Sequence, residues 1–249
     1  MNLRVWQPAL AEHARRALET AGYPVTVVTG DGANGYPPRA PFDRVIATAA
    51  VALGRLPYAW IAQTRAGGRI VTPLRTDLAR GGPLVSLTVH TDGTATGRFV
   101  GRLGFMPLRQ HRRDRPEIRD IELTPAADTS TTTLKVWRTV ETWDAHWAVS
   151  VAVPSCAWNH IEHDGKHELW FVDPTGPSWA VASYDAEPGA RTVRQHGPRR
   201  LWDEIETAYR NWSALGKPAF DRYGITVTAR SQAVWLDEPD NIVAESTDP

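Results

Sequence analysis

The stretch GDGANGYPPRAPFDRVIATAA (Gly30–Ala50) and, five residues on, LPYAWIAQTRAGGRIVTPL (Leu56–Leu74) decides the fold. Inside it, Asp43–Thr48 is a buried-strand candidate. Helical spacing follows from Pro57 to Gln63, with Trp60, Ile61 and Thr64 close to one face. Gly67-Gly68 ends that helix and opens a strand from Arg69 to Pro73. Upstream, the β-branched run Val25–Thr29 closes on Gly30, Asp31 and Gly32. Before it, Leu10, Ala14, Ala17, Leu18 and Ala21 recur at near-helical spacing, while Glu12, Arg15, Arg16 and Glu19 mark a wet face. Pro8 suits the first turn of this helix, and Gly22 followed by Pro24 supplies its stop. Alternating strands and helices with short connectors predict a parallel sheet covered by helices. Leu84–Thr91 and Thr94–Val100 flank Asp92-Gly93, a hairpin signal, so the sheet should finish with an antiparallel pair.

Composition narrows the class. The 249 residues are 42% hydrophobic and 22% charged, enough apolar material for a core and too much for a disordered chain. Twenty-eight basic residues balance twenty-eight acidic ones, which removes a global electrostatic case for nucleic acid or anionic membrane. Cys156 is the single cysteine, so an internal disulfide framework and a Cys-rich zinc fold are excluded. No apolar run is long enough to span a bilayer, and MNLRVWQPAL has no export signal. The expectation is a cytoplasmic protein. Of eleven tryptophans, nine lie at or beyond Trp137, so the two halves of the chain differ in kind.

The strings quoted first resemble the protein-L-isoaspartate O-methyltransferase family. A GDG-x-x-G-aromatic segment, an APFD strand, an Ala-Ala turn, a proline-started helix and a GGR strand occur there in this order and at this spacing. The resemblance implies an α/β fold: a Rossmann-like class I methyltransferase sheet, followed here by an α+β Trp-rich region. It implies S-adenosylmethionine as cofactor and an isoaspartyl- or aspartyl-containing peptide or protein as partner, with no nucleic acid and no membrane involved. By the same resemblance, Asp31 and Gly32 stand at the adenine side of the cofactor. A carboxylate there can accept the adenine amino group, and glycine allows close backbone approach; the bland alternative is a strand-ending turn. Thr48, Ala49 and Ala50 correspond to the strand end beside the transferred methyl group, where small residues leave room for substrate. No catalytic residue is named. The acceptor carboxylate is already ionised at neutral pH, so in-line placement does most of the work.

The resemblance also implies a first strand and a Gly-rich turn that this sequence does not contain. Leu3–Trp6 then corresponds to the second strand, and Val5, Trp6 and Gln7 stand where an acidic ribose acceptor is expected. A sheet incomplete at its N-terminus in this way would expose two unpaired edges and an apolar groove. Two readings stay open: a methyltransferase truncated here, or a non-catalytic peptide-binding protein on a degenerate scaffold.

The expected organisation is a partial methyltransferase domain over 1–107, a linker over 108–133 and an α+β domain over 134–249. Arg109–Arg119 is the most basic stretch. A nucleic-acid arm is the sharp reading; a solvated linker is preferred, because Asp114, Glu117 and a proline interrupt it and no aromatic residue is interleaved. Asp128–Thr133 reads as a loop. Leu134–Val140 and His146–Val153 alternate tryptophans with aliphatics in short stretches, and Glu168–Val172 resembles a strand. Leu201–Leu215 reads as a helix with Leu201, Ile205, Ala208 and Trp212 in one stripe, ended by Gly216 and Pro218. Tyr223–Thr228 and Gln232–Leu236 suggest a last hairpin.

Cys156, His160, His163 and His167 are a zinc candidate by residue type. Asp164-Gly165, however, reads as a hairpin turn, and on strands His160 and Glu162 share a face while His163 points away. No metal is therefore expected, and Cys156 reads as a small buried thiol. Trp-rich extensions of this kind resemble those on actinobacterial relatives of the family, some of which act on ribosomally made peptides.

Overall fold

Gly22 ends the first helix through its left-handed backbone (φ 75°). The N–H groups of Gly22 and Tyr23 reach back to the carbonyls of Glu19 and Leu18 at 3.0 and 2.9 Å, closing a Schellman turn. Gly216 (φ 80°) does the same for the last helix, with Gly216 and Lys217 donating to Ser213 and Trp212. The computed structural model describes residues 2–78, 81–113, 127–163, 165–184 and 189–247, with His163 by its backbone only. Its first part runs β1 (Asn2–Val5), α1 (Pro8–Thr20), β2 (Thr26–Thr29), β3 (Phe42–Ile46), β4 (Val51–Ala52), α2 (Tyr58–Ala62), β5 (Thr64–Arg75), β6 (Gly82–Val89) and β7 (Ala95–Leu103). Its second part runs β8 (Asp128–Thr132), α3 (Arg138–Glu141), α4 (Trp143–Ala152), β9 (Ala157–His163), β10 (Lys166–Val172), β11 (Trp179–Ser183) and β12 (Arg191–His196). It closes with α5 (Leu201–Ala214), β13 (Tyr223–Val227), β14 (Gln232–Leu236) and β15 (Ile242–Ser246).

The α/β class expected from the sequence is the class observed. β3 and β5 pair in parallel across the α2 crossover, and β6 and β7 add the antiparallel hairpin at Gly93. The parallel sheet is interrupted, however. β1 and β2 form a separate parallel pair, and among the described residues β3 has β5 on one edge only. β3 is consequently an edge strand, with Ile46 74% exposed, rather than the buried strand its composition suggests.

The sheet does not stop near residue 107, where a domain boundary was expected. β13 pairs with β7 (Gly224 opposite Arg98, Val227 opposite Ala95), and the order continues β7-β13-β14-β15. A second sheet, β8-β12-β11-β10-β9, is wholly antiparallel. α4 and α5 lie between the two. Ala145, Trp147 and Ala148 of α4 and Trp212 of α5 join the core under Ile70, Leu87 and Phe99. Val149 of α4 and Leu201, Trp202, Ile205 and Ala208 of α5 join the core of the second sheet with Leu169 and Phe171. The α5 stripe is thus as the sequence predicts. The stretch 143–152 is a helix instead of alternating short segments, because a helix buried on two sides carries no single apolar stripe. Asp128–Thr132 is a strand instead of a loop: Thr131 and Ser130 pair with Thr192 and Val193, which supply the partner edge that local composition cannot reveal.

Candidate functional site

The residues singled out from the sequence gather at the carboxyl ends of β2 and β3, the side on which open α/β sheets bind ligands. Beyond β2, Asp31 caps a single 3₁₀ turn, its Oδ1 accepting the Ala33 N–H at 3.0 Å. The turn is held from three directions. Arg4 Nη2 donates to the Asp31 carbonyl (3.1 Å), Trp60 Nε1 to the Gly32 carbonyl (2.8 Å) and Gln63 Nε2 to the Asn34 carbonyl (2.9 Å). Among the described residues the second carboxylate oxygen of Asp31 has no hydrogen-bond partner. A Cβ placed on Gly32 would meet nothing within 4 Å, so open space lies beside this backbone.

After β3, Thr48 is exposed and Ala49 half-buried, whereas Ala50 is buried. The chain returns past Ala50: its N–H donates to the Met106 carbonyl (2.8 Å), and its carbonyl accepts from the Leu108 N–H (2.9 Å). Thr48 and Ala49 are thus the accessible part of this turn, and Ala50 is covered by the Met106–Leu108 return. At the end of β1, Trp6 is 48% exposed, and the Arg109 guanidinium lies 5.5 Å from its ring centroid. No carboxylate stands at Val5–Gln7, as the sequence already indicates.

A linker was expected from residue 108, with Arg109–Arg119 solvated. Its described part is instead a strap docked on the strand ends. Arg113 meets Asp77 (3.3 Å) and Ser155 Oγ (3.1 Å), and His111 is only 4% exposed. Residues 114–126, which carry the rest of the basic run, lie outside the described residues. The His111 Nδ1 accepts the Ala52 N–H at 3.2 Å, and its carbonyl accepts from Arg75 Nη1 at 3.1 Å. Burial, together with the positive charges of Arg55, Arg75 and Arg113, pushes its pKa down to about 4 against a weaker opposing pull from Asp31. His111 is thus a neutral imidazole at pH 7, with Nδ1 as acceptor and Nε2 carrying the proton. Sequence reading missed it, because LRQHRR has neither helical nor strand period to signal burial.

The zinc candidate comes apart. Cys156 is fully buried in the core beneath the second sheet, and burial pushes its thiol pKa well up. His160 and His167 do meet, with Nε2 and Nδ1 3.3 Å apart, and His160 Nε2 also lies 2.7 Å from Tyr184 Oη. The His163 side chain lies outside the described residues. Among those described, no three His, Cys, Asp or Glu side chains are disposed to hold a metal ion.

Residues 6–113 match the family model of protein-L-isoaspartate(D-aspartate) O-methyltransferase. A protein-L-isoaspartate O-methyltransferase of Hyperthermus butylicus is 52% identical over 103 residues, covering 41% of this chain and 41% of that protein. One of Ignicoccus hospitalis is 50% identical over 68 residues (27% and 31% of the two chains), and one of Thermococcus sibiricus 37% identical over 101 residues (40% and 45%). The chain thus spans less than half the length of these curated relatives. A solved protein-L-isoaspartate O-methyltransferase superposes with a TM-score of 0.45 at 20% identity, covering 91% of this chain and 64% of that one. Among the described residues, no helix is long and apolar enough to cross a membrane.

Proposed function

We propose that this chain carries part of an S-adenosylmethionine-dependent methyltransferase that esterifies the carboxylate of isoaspartyl residues in peptides or proteins, in the cytoplasm and without nucleic acid. The family match over residues 6–113 carries the reading. In it, the uncommitted oxygen of Asp31 accepts the adenine amino group, and the open side of Gly32 lets the backbone approach the ring. Thr48 and Ala49 border the methyl-transfer position, with Ala50 as its floor. When bound, the sulfonium supplies the methyl group and takes up the electron pair as the bond breaks. The protein's share is to align the acceptor carboxylate and exclude water.

These residues fit the adenine end of the cofactor and leave its other end without donors. Among the described residues β1 and β3 each have one free edge, and the reading places a further parallel strand with a Gly-rich turn between them. The chain of 249 residues alone is therefore expected to bind S-adenosylmethionine only in the millimolar range, since each missing hydrogen bond costs on the order of 1–3 kcal/mol. Titration calorimetry checks this, and a micromolar Kd would refute it.

With a strand and Gly-rich turn grafted ahead of β1 from one of the relatives, cofactor affinity is expected to depend on Asp31. Asp31→Ala should weaken binding roughly five- to a hundredfold, while the methyl-transfer rate at saturating cofactor changes much less. Asparagine preserves the turn that Asp31 Oδ1 makes with Ala33. Wild-type affinity in both Asp31→Ala and Asp31→Asn, in an active graft, would leave Asp31 as a turn former only.

A further inference from the structure

Away from the Asp31 turn, a cavity of about 300 Å³ opens between three segments distant in sequence. Arg55–Tyr58 forms one wall, Gln110 and His111 of the strap a second, and the β13–β14 turn, Thr228–Gln232, the third. Only the first two lie within the stretch that matches the methyltransferase family. The walls are locked together by Gln232, whose buried amide accepts the Leu56 N–H (3.0 Å) and donates to the Leu56 carbonyl (2.9 Å). Among the described residues, no Asp or Glu lines the cavity.

The cationic and imidazole groups that line it are donors, set beside the hydroxyls and amides of Tyr58, Gln110, Thr228, Ser231 and Gln232. Arg55 and Arg230 both line it, and neither guanidinium forms an ion pair or hydrogen bond among the described residues. His111 lines it as a buried neutral imidazole, with Nδ1 committed to Ala52 and the Nε2 proton left over. The Arg55 charge is felt at His111, so these donors share one small space. Two guanidiniums without an ion pair among the described residues, together with the His111 Nε2–H, leave a positive potential that Asp31 offsets only in part and that an anion relieves. Guanidinium pairs with carboxylates in a planar, two-bond fork. Leu56, Pro57 and Ala229 supply apolar wall for the methylenes that carry such a group.

We propose that this cavity is a docking pocket for an acidic peptide segment, taking a glutamate or aspartate side chain against Arg55, Arg230 and His111. The pocket is built jointly by the family segment and the C-terminal region, which gives that region a part in choosing the peptide. The inference does not require methyl transfer: its probe contains no isoaspartyl residue and is measured without cofactor, so either reading can fail alone.

The test is calorimetric titration of the full chain with an acetylated, amidated hexapeptide, Gly-Ala-Glu-Glu-Ala-Gly, and with its Gln-Gln counterpart. The Glu peptide is expected to bind about tenfold or more tightly, and Arg55→Gln and Arg230→Gln each to lose about tenfold, the effect of one charged hydrogen-bonded contact. Both arginines are exposed, so unchanged melting temperatures are expected and confirm that the variants fold. In NMR spectra the His111 ring should shift on adding the Glu peptide in the wild type and not in the double variant. Equal or absent binding of the two peptides, or wild-type affinity in the double variant, overturns the proposal. Inorganic phosphate binding at these arginines without the Glu peptide would replace the peptide by a free phosphate and overturns it equally.

Discussion

Trp147→Ala is expected to destabilise the whole chain by about 3–5 kcal/mol, the usual cost of emptying a large buried aromatic site. Trp147 is completely buried on α4, and its ring meets Phe99 of β7 edge to face, with centroids 5.0 Å apart at 85°. One partner comes from the family segment and the other from the Trp-rich region. The loss should therefore move a single unfolding transition, seen alike by calorimetry, far-UV circular dichroism and tryptophan fluorescence. Among the described residues the Trp147 Nε1 has no hydrogen-bond partner, so Trp147→Phe gives up ring volume without breaking a bond and should cost less than about 2 kcal/mol. By the same packing, residues 2–113 expressed alone should fail to fold, because Ile70, Leu87 and Phe99 would lose α4 and α5 as their cover. Two separate transitions, with only one shifted by Trp147→Ala, would show instead that the halves fold independently.

Acidification is expected to remove on the order of 3 kcal/mol of stability through His111 alone. Its folded pKa is about 4, against 6.5 for an ordinary imidazole. Between those values the unfolded chain binds a proton that the folded chain refuses, so stability falls as the pH falls. The contribution is complete above about pH 6.5 and gone near pH 4. Protonation would add a fourth positive charge beside Arg55, Arg75 and Arg113 on a buried ring. His111→Asn should be less stable at pH 7 and should flatten the pH dependence of urea unfolding across this window. An unaltered slope in the variant would assign the acid sensitivity to other groups.

Much of the local structure is legible in the sequence. Pro8 and Gly22 bound α1, Asp92-Gly93 turns β6 into β7, and the Leu201–Trp212 stripe marks α5. Each of these is set within a few residues, by turn chemistry or by one buried face. The Asp31–Gly32 turn is legible for another reason: the ordered strings around it match a known family, and its position follows from that order. Its dual use of Asp31, one oxygen in the turn and one uncommitted, is visible only in the folded chain.

The rest depends on partners far along the chain. Periodicity tells which face of a strand is apolar and is silent about which edge will meet it, so β13 beside β7 could not be read from either strand. α4 is apolar on two sides because two sheets cover it, and its pattern lost the period that marks a surface helix. His111 sits in a basic run whose composition suggests solvent. Ala52, Arg75 and Asp77 draw that run onto the strand ends. The cavity beside it needs Gln232 to hold Leu56 across 176 residues of sequence. The sequence by itself determined α1, the β6–β7 turn, α5 and the turn that Asp31 begins after β2, since each is encoded in neighbouring residues. The tertiary structure alone decided which elements share a core and which donors face one cavity, since burial and electrostatic potential are properties of the surroundings that a side chain acquires on folding.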